Sequence, residues 1–369
     1  MTFKPLNEND TVNTRTLLHE AVPLTGAIVS GTYISGDVAE NVKTYSHGMF
    51  QSVYDYPYLS SSANHIFDLT AGIATNSTLY NAAGSEQVPK KKNIYNQMSQ
   101  ILMGYDATGS IQQFDEDGDL LIGGNKLKEV FIMPLTRLLS KDEVKKETFE
   151  LVMDVSSYAA SKQAFAAANR ITITDLSAST QYKVNSPAGD YGILYATASS
   201  PNQLLNNSST HTATFDGNKY WYAGLIFYQA GITVLTGSIF GTQLTSPVDK
   251  ITAADPGVNA ALTGSTIDEL GDAFRHRMYN MQFNNTTELN STVYFCRVNH
   301  NEFNYSSNPT YVSGSKIQVK TQATDEPVSY ITTVGLYNDN NELLATAKLS
   351  EPLKKSASSE YTIRARLDY

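Results

Sequence analysis

Apolar positions recur in this chain at period two in some stretches and near period 3.6 in others. The period-two signal is strongest toward the end. Tyr330 to Tyr337 is a run of strand-favouring residues, Asn338-Asp339-Asn340-Asn341 tolerates left-handed backbone, and Glu342 to Leu349 is a second run. This order predicts a β-hairpin. Neither arm alternates cleanly: Val334 and Leu336 fall on one face, Ile331 and Tyr337 on the other, so both faces are expected to meet protein. A break is expected at Glu351-Pro352. Beyond it Tyr361, Ile363, Ala365, Leu367 and Tyr369 share one face of a third strand, and Thr362, Arg364, Arg366 and Asp368 share the other. Val334, Leu336, Tyr337, Leu343, Leu344, Tyr361, Ile363 and Leu367 are the candidate assembly residues.

Shorter runs predict strands at Ile66–Thr70, Val130–Met133, Leu151–Val155, Ile171–Asp175 and Val293–Val298. Gly192–Ala196 and Gly224–Tyr228 are similar runs expected to pair in one sheet. Gln229-Ala230-Gly231 reads as a tight turn with Ile232–Leu235 as the returning strand. Helical spacing appears at Ile94, Met98, Ile101 and Leu102, with Gly104 as the stop. It appears again at Ile267, Leu270, Phe274 and Met278, with Ser265 and Asp268 as the capping pair. Ser140-Lys141-Asp142-Glu143 has the form of a capping box and predicts a helix to about Glu150. Residues 158–169 read as a short helix or a loop, and 206–210 as a loop.

The expected fold is mainly β with a few helices, of α+β type, in antiparallel, sandwich-like sheets. Four sequential segments are expected: an extended N-terminal arm over 1–45, a mixed α+β domain over 46–155, a β-rich domain with one helix over 156–325, and the hairpin plus strand over 326–369.

Composition sharpens this picture in a few places. The chain has 369 residues, 41% of them hydrophobic, enough to build more than one core. Charged residues make up only 17%, below the usual ~25%. Asn, Ser, Thr and 23 Tyr supply the polarity instead, a mix suited to β surfaces that meet other protein. The net charge of −9 opposes phosphate binding. The one compact basic run, Lys90-Lys91-Lys92, is expected to be a solvated helix start, and no direct nucleic-acid partner is expected. No apolar run approaches the ~20 residues of a membrane span, and Met1–Asp10 is too polar for a signal peptide. A single cysteine, Cys296, excludes an intrachain disulfide and is expected on a strand as a small hydrophobe.

Candidate chemistry is sparse. Asp115, Asp117 and Asp119 have the alternate spacing of calcium ligands. A helix–loop–helix calcium site, however, needs Gly at the sixth position and Glu at the twelfth, where this chain has Leu120 and Lys126. The turn is therefore a weak metal candidate beside the plainer reading of an acidic turn. The aromatic stretch Phe50–Tyr58 is expected to pack internally and not to stack on bases. His47 and His65, with Asp55 or Asp68, are the one place where histidines and carboxylates could gather. Arg275-His276-Arg277 is expected to be a solvated basic patch. No phosphate loop, His-X-X-X-His pair or Gly-X-Ser-X-Gly elbow occurs. No enzyme activity and no cofactor are expected.

Three stretches carry a resemblance. The hairpin Ile331–Tyr337 with Glu342–Ala345 resembles attachment regions of tailed-phage fibre and baseplate proteins, although those regions usually carry Gly in the turn. His47 to His65 is similar to structural proteins of large contractile-tailed, T-even-like marine phages, cyanophages among them. Gly224–Leu235 is a third such stretch. The resemblance implies a structural subunit of the virion, in the tail, baseplate or neck region, assembled in the host bacterial cytoplasm. Its implied partners are other virion proteins and further copies of the chain. A carbohydrate- or receptor-binding tail-fibre module and a head-associated structural protein are the alternatives.

Overall fold

The computed structural model describes residues 4–25, 34–35, 38–81, 87–121, 124–154, 170–198, 212–240, 258–306, 312–314, 316–317 and 322–369. The expectations for 158–169 and 206–210 lie outside the described residues. In chain order the strands are β1 (Thr11–Thr25), β2 (Ile34–Ser35), β3 (Val38–Ala39), β4 (Val42–Lys43), β5 (Gln51–Tyr54), β6 (His65–Ile73), β7 (Glu129–Pro134), β8 (Glu143–Val144), β9 (Glu150–Asp154) and β10 (Arg170–Thr174). They continue as β11 (Tyr191–Ala198), β12 (Thr212–Phe215), β13 (Asn218–Phe227), β14 (Ile232–Thr236), β15 (Met278–Val298), β16 (Val312–Ser313), β17 (Lys316–Ile317), β18 (Val328–Tyr337), β19 (Leu343–Ser356) and β20 (Tyr361–Asp368). The fold is predominantly β with few short helices, built from antiparallel sheets.

The chain divides into two compact units. The large one is His19–Thr287; the small one joins Met1–Leu18 to Glu288–Tyr369. This grouping cuts across the four sequential segments, because both chain ends supply the small unit. Within the span 1–45 the described residues form β1, whose side chains are almost all exposed, and the short strands β2 to β4.

The large unit is organised by one antiparallel sheet in the order β15–β9–β10–β11–β13–β14–β7–β6–β5–β4. As expected, the two Gly-led runs pair, Gly192 opposite Ile226, and β14 returns along β13. At Gly224 the strands approach so closely that a methyl group would lie 2.0 Å from the Val234 carbonyl oxygen. Apolar clusters cover both faces of this sheet. Phe131, Met133, Ala223 and Leu235 belong to one; Val130, Ile132, Leu225, Phe227 and Val234 belong to the other. That double burial is why these strands read as continuous apolar runs and not as alternation. Each of the larger ones, Val, Leu, Ile, Met or Phe, contributes roughly 1.5–3 kcal/mol on leaving water.

The first long helix, Val88–Leu102, opens on Pro89 and lies against β6. A side chain at Gly72 would come within 3.0 Å of Tyr95 Cβ, so glycine sets the distance of approach. Tyr95 is buried and donates to the Leu127 carbonyl at 2.7 Å. Gly104, at φ +78°, ends the helix as its sequence suggests, its N–H bonding the Ser99 and Gln100 carbonyls.

Four expectations are corrected. Lys91 is not solvated: it is fully buried, and its Nζ donates to the Leu262 and Ser265 carbonyls, each at 2.6 Å. The ammonium is satisfied by backbone oxygens beside the start of the helix Ile267–Arg275. That helix is capped by Thr266 and Glu269, one residue later than predicted. The basic patch after it is also buried: Arg275, His276 and Arg277 all lie inside. Arg275 pairs with Asp272 at 2.7 Å, and the Arg277 guanidinium lies over Phe240. No helix runs from Ser140 to Glu150. A short one, Arg137–Ser140, stops there; Lys141 takes φ 54°, and β8 then pairs with Asn285 and Thr286. Sheet pairing overrides the local capping signal.

In the small unit, β20 pairs antiparallel with β15 from Ser291 opposite Asp368 to Val298 opposite Tyr361. Ile363 and Ala365 are buried while Thr362, Arg364 and Arg366 are exposed, so the predicted alternation holds. Side chains tie β1 to the same strand: Thr292 donates to Asn13 at 2.8 Å, Arg15 pairs with Glu288, and Arg297 pairs with Asp10 at 2.6 Å. β18 and β19 form the predicted hairpin as a sheet of their own. Asn338 shapes its turn, its Oδ1 accepting from the Asn340 and Glu342 amides. The predicted break at Glu351-Pro352 is instead a register irregularity within β19. Ile331 faces Leu353 while Thr333 faces Lys348, and the surplus residues carry the proline where no ladder bond is lost. Lys355 is fully buried and donates to the His300 and Ser356 carbonyls and to Asn304 Oδ1.

Candidate functional site

Three places bring chemistry-bearing residues together, and each arises differently from the chain. The first is the acidic turn. Phe114 is a buried anchor whose N–H meets the Tyr95 hydroxyl at 3.3 Å, and Asp115 bridges to Lys126. Gly118 at φ +71° and Leu120 at φ 59° let the backbone curl, which gathers the alternate carboxylates on its inside. One oxygen from each of Asp115, Asp117 and Asp119 lies within 4.8 Å of the others. Asp115 is fully buried: its Oδ1 accepts from Lys126 Nζ at 2.5 Å and its Oδ2 from the Leu120 amide at 2.6 Å. Asp117 accepts from the Asp119 amide, and Asp119 from the Leu121 amide. Burial first, then the like charges of Asp115 and Asp119, raises the Asp117 carboxyl. The hydrogen bond from Leu121 holds Asp119 low. Oxygen-only donors of this kind suit a hard cation.

The second place is the face of β5 and β6 that the sequence singled out through its histidines. The structure brings His65 and Asp68 together at 2.8 Å. It does not bring His47 or Asp55 to them. His47 stacks on Tyr45 with centroids 5.0 Å apart, and Asp55 accepts from the Asn64 amide at 2.7 Å. Sequence reasoning missed two members. Ser52 donates to Asp68 Oδ1 at 2.5 Å, and the Tyr45 hydroxyl lies 3.2 Å from Ser52 Oγ. Ile66–Thr70 reads as a strand in the sequence, but Phe50–Tyr58 reads only as an aromatic stretch, so no signal placed Ser52 beside Asp68. The carboxylate sits between serine and imidazole, and the serine proton points at the carboxylate. The imidazole, the usual base of a serine nucleophile, therefore faces the carboxylate and not the hydroxyl.

The third is the set of candidate assembly residues, all in the small unit. The structure brings Val334, Leu336 and Tyr337 opposite Leu343 to Ala347 on the hairpin. Leu343 and Leu344 are 52% and 68% exposed, and Tyr337 is also exposed. Tyr361, Ile363 and Leu367 lie on β20 instead, where Ile363 is buried and the other two are half-buried. Cys296 is half-buried on β15, and burial pushes its thiol up, away from the reactive thiolate. Among the described residues no helix is long and apolar enough to cross a membrane. No family model, curated protein or solved structure matches the chain.

Proposed function

We propose that this chain is a structural building block that works through protein–protein assembly, as a subunit of a tailed-phage virion in its tail, baseplate or neck region. The virion and its region come from the resemblance of the three sequence stretches. The mode of action rests on one observation: the β18–β19 ribbon is a two-stranded sheet that leaves Tyr330, Tyr337, Leu343 and Leu344 exposed. A two-stranded ribbon is marginal in water on its own, and apolar strands left open invite pairing. A partner strand or face that covers it completes the structure. The partner is another virion protein or a second copy of the chain.

Sedimentation of the full chain, alone and with neighbouring virion proteins, tests this. Association is expected, and Leu343→Ser with Leu344→Ser should abolish it while leaving the thermal melt in place. A strictly monomeric species under both conditions overturns the assembly reading. Glycan-array binding without association would favour a receptor-binding module.

A further inference from the structure

The two outer edges of the β18–β19 ribbon are unlike. Among the described residues β18 and β19 pair only with each other, so each strand keeps one edge without a ladder partner. An edge of that kind accepts another strand unless charge, proline or a bulge blocks it. β19 has all three. Lys348, Glu351 and Lys354 are exposed along it, Pro352 removes a donor, and the surplus residues of the register irregularity lie between Lys348 and Leu353. Its Lys354 carbonyl also accepts from the Tyr361 hydroxyl at 2.8 Å. β18 has no such guard in its side chains. Val328 to Tyr337 holds no charged residue and no proline, and Tyr330, Thr332, Thr333 and Tyr337 are exposed.

Charge and side-chain match point to the occupant. The small unit contains ten basic and eleven acidic residues, so the net charge of −9 belongs almost entirely to the large unit. Nearly neutral surfaces associate without the self-repulsion that a large net charge brings. β18 also matches itself. When two copies run antiparallel about a two-fold axis at Thr333, that residue faces its own copy, Thr332 faces Val334, and Tyr330 faces Leu336. No like charges oppose each other, and a Thr–Thr pair is favourable across strands. We infer that two copies of the chain join edge to edge along β18, antiparallel about a two-fold axis at Thr333, into a four-stranded sheet. This pairing rests on the proposed assembly role and names the partner that fits its ribbon. Four strands exceed the three that an exposed ribbon needs to stand in water. The guarded β19 edges stop further addition, so the contact closes at a dimer and does not run on into a filament.

Sedimentation of the full chain at micromolar concentration tests this, and a dimer with no larger species is expected. Thr333→Lys and Thr333→Glu each set like charges opposite one another, and each alone should raise the dimer Kd by about fivefold. An equimolar mixture of the two should associate at least as tightly as the wild type, which misfolded variants could not do. Thr333→Cys in a Cys296→Ala background should form a disulfide-linked dimer on oxidation. Directly opposed Cα atoms lie ~4.5–5.5 Å apart, within disulfide reach. Lys348→Cys in the same background should not cross-link; a cross-link there in place of the Thr333→Cys one moves the contact to β19 and overturns this edge. Association that neither Thr333 charge variant alters, or species larger than a dimer, also overturns it. If Leu343→Ser with Leu344→Ser still abolishes that association, the assembly role stands without this edge. A chain that is monomeric alone and gains mass only with another virion protein overturns the self-pairing and keeps the assembly role. A chain monomeric in both settings overturns both.

Discussion

The large and small units are made from the same kinds of strand, yet they hold together in different ways. In the large unit both faces of the sheet are covered, and Phe131, Phe240 and Phe274 meet ring to ring with centroids 5.1–5.9 Å apart. In the small unit almost every side chain of β1 is exposed, and so are most of those on β18 and β19. Its fixed points are polar: the Asp10–Arg297 pair, the Lys4–Glu302 pair and the buried Lys355 ammonium. The large unit therefore holds the extensive apolar core, while the small unit buries only a few apolar side chains, among them Val293, Val298, Ile363 and Ala365, beside its polar ties. Burial is insensitive to a partner, whereas an open ribbon gains most of its apolar burial only when something covers it.

The largest expected effect is in the large unit. Phe131→Ala removes a fully enclosed ring, and about 3–5 kcal/mol of stability should go with it, the usual cost of such truncations. Chemical denaturation would show the midpoint falling with the slope preserved. A loss under 1 kcal/mol would mean that this core is less tightly packed than its burial indicates. Next comes Val334→Pro in the hairpin, which removes a backbone donor opposite Ala347. Its local cost is about 3 kcal/mol, and it should be confined to the small unit. Hydrogen exchange should rise across β18 and β19 and stay unchanged in β7 and β14. A global melt lowered by that whole amount would show that the two units unfold as one.

A smaller effect separates the units by pH. Asp175 is buried in the large unit, accepting from the Tyr228 hydroxyl at 3.0 Å and from the Glu147 and Phe149 amides. Burial pushes its carboxyl up to about 6, against 3.8 ordinarily. The folded state thus holds this proton more tightly than the unfolded chain does. The stability it contributes is complete below about pH 4 and is lost as pH rises through about 6, with a ceiling of roughly 3 kcal/mol. The melting temperature of the wild type should gain from acidification across that window more than that of Asp175→Asn. Parallel profiles for the two proteins would remove Asp175 as the source. The smallest effect on stability is expected from Leu344→Ser, within about 0.5 kcal/mol, because the side chain is already in water. A large loss there would contradict the description of the ribbon as uncovered.

Much of this fold was legible from spacing alone. The pairing of Gly192–Ala196 with Gly224–Phe227, the helix stop at Gly104, the terminal hairpin and the alternation of β20 are local patterns with local causes. Failures came where a distant partner decided the outcome. Nothing near Lys91 announces that the Leu262 and Ser265 carbonyls await its ammonium. Arg275 and Arg277 look solvated until the sheet and Phe240 close over them. At Ser140 the capping signal was real in form, but pairing of β8 with β15 outweighed it. The acidic turn was visible as a spacing, whereas the grip of Lys126 on Asp115 and the approach of Tyr191 to Gly118 depend on tertiary placement. Asp68 and His65 were named in advance; Ser52 and Tyr45 were not, since neither carries a charge that draws attention in a sequence.

The small unit joins Met1–Leu18 to Glu288–Tyr369, with the whole of His19–Thr287 between them in the chain. That arrangement imposes an order on synthesis. A ribosome adding ~5–20 residues per second releases domains from the N-terminal side first. The large unit is complete in sequence while residues after 288 are still unmade. The first half of β1 must therefore wait, its side chains unpaired, until Ser291, Thr292 and Arg297 emerge to meet it. Its polar composition, with Thr11, Asn13, Thr14, Arg15 and Thr16 in succession around Val12, suits a segment that must stay dissolved during that wait. The β18–β19 ribbon, with Leu343 and Leu344 exposed, is thus made only after the whole sequence of the large unit.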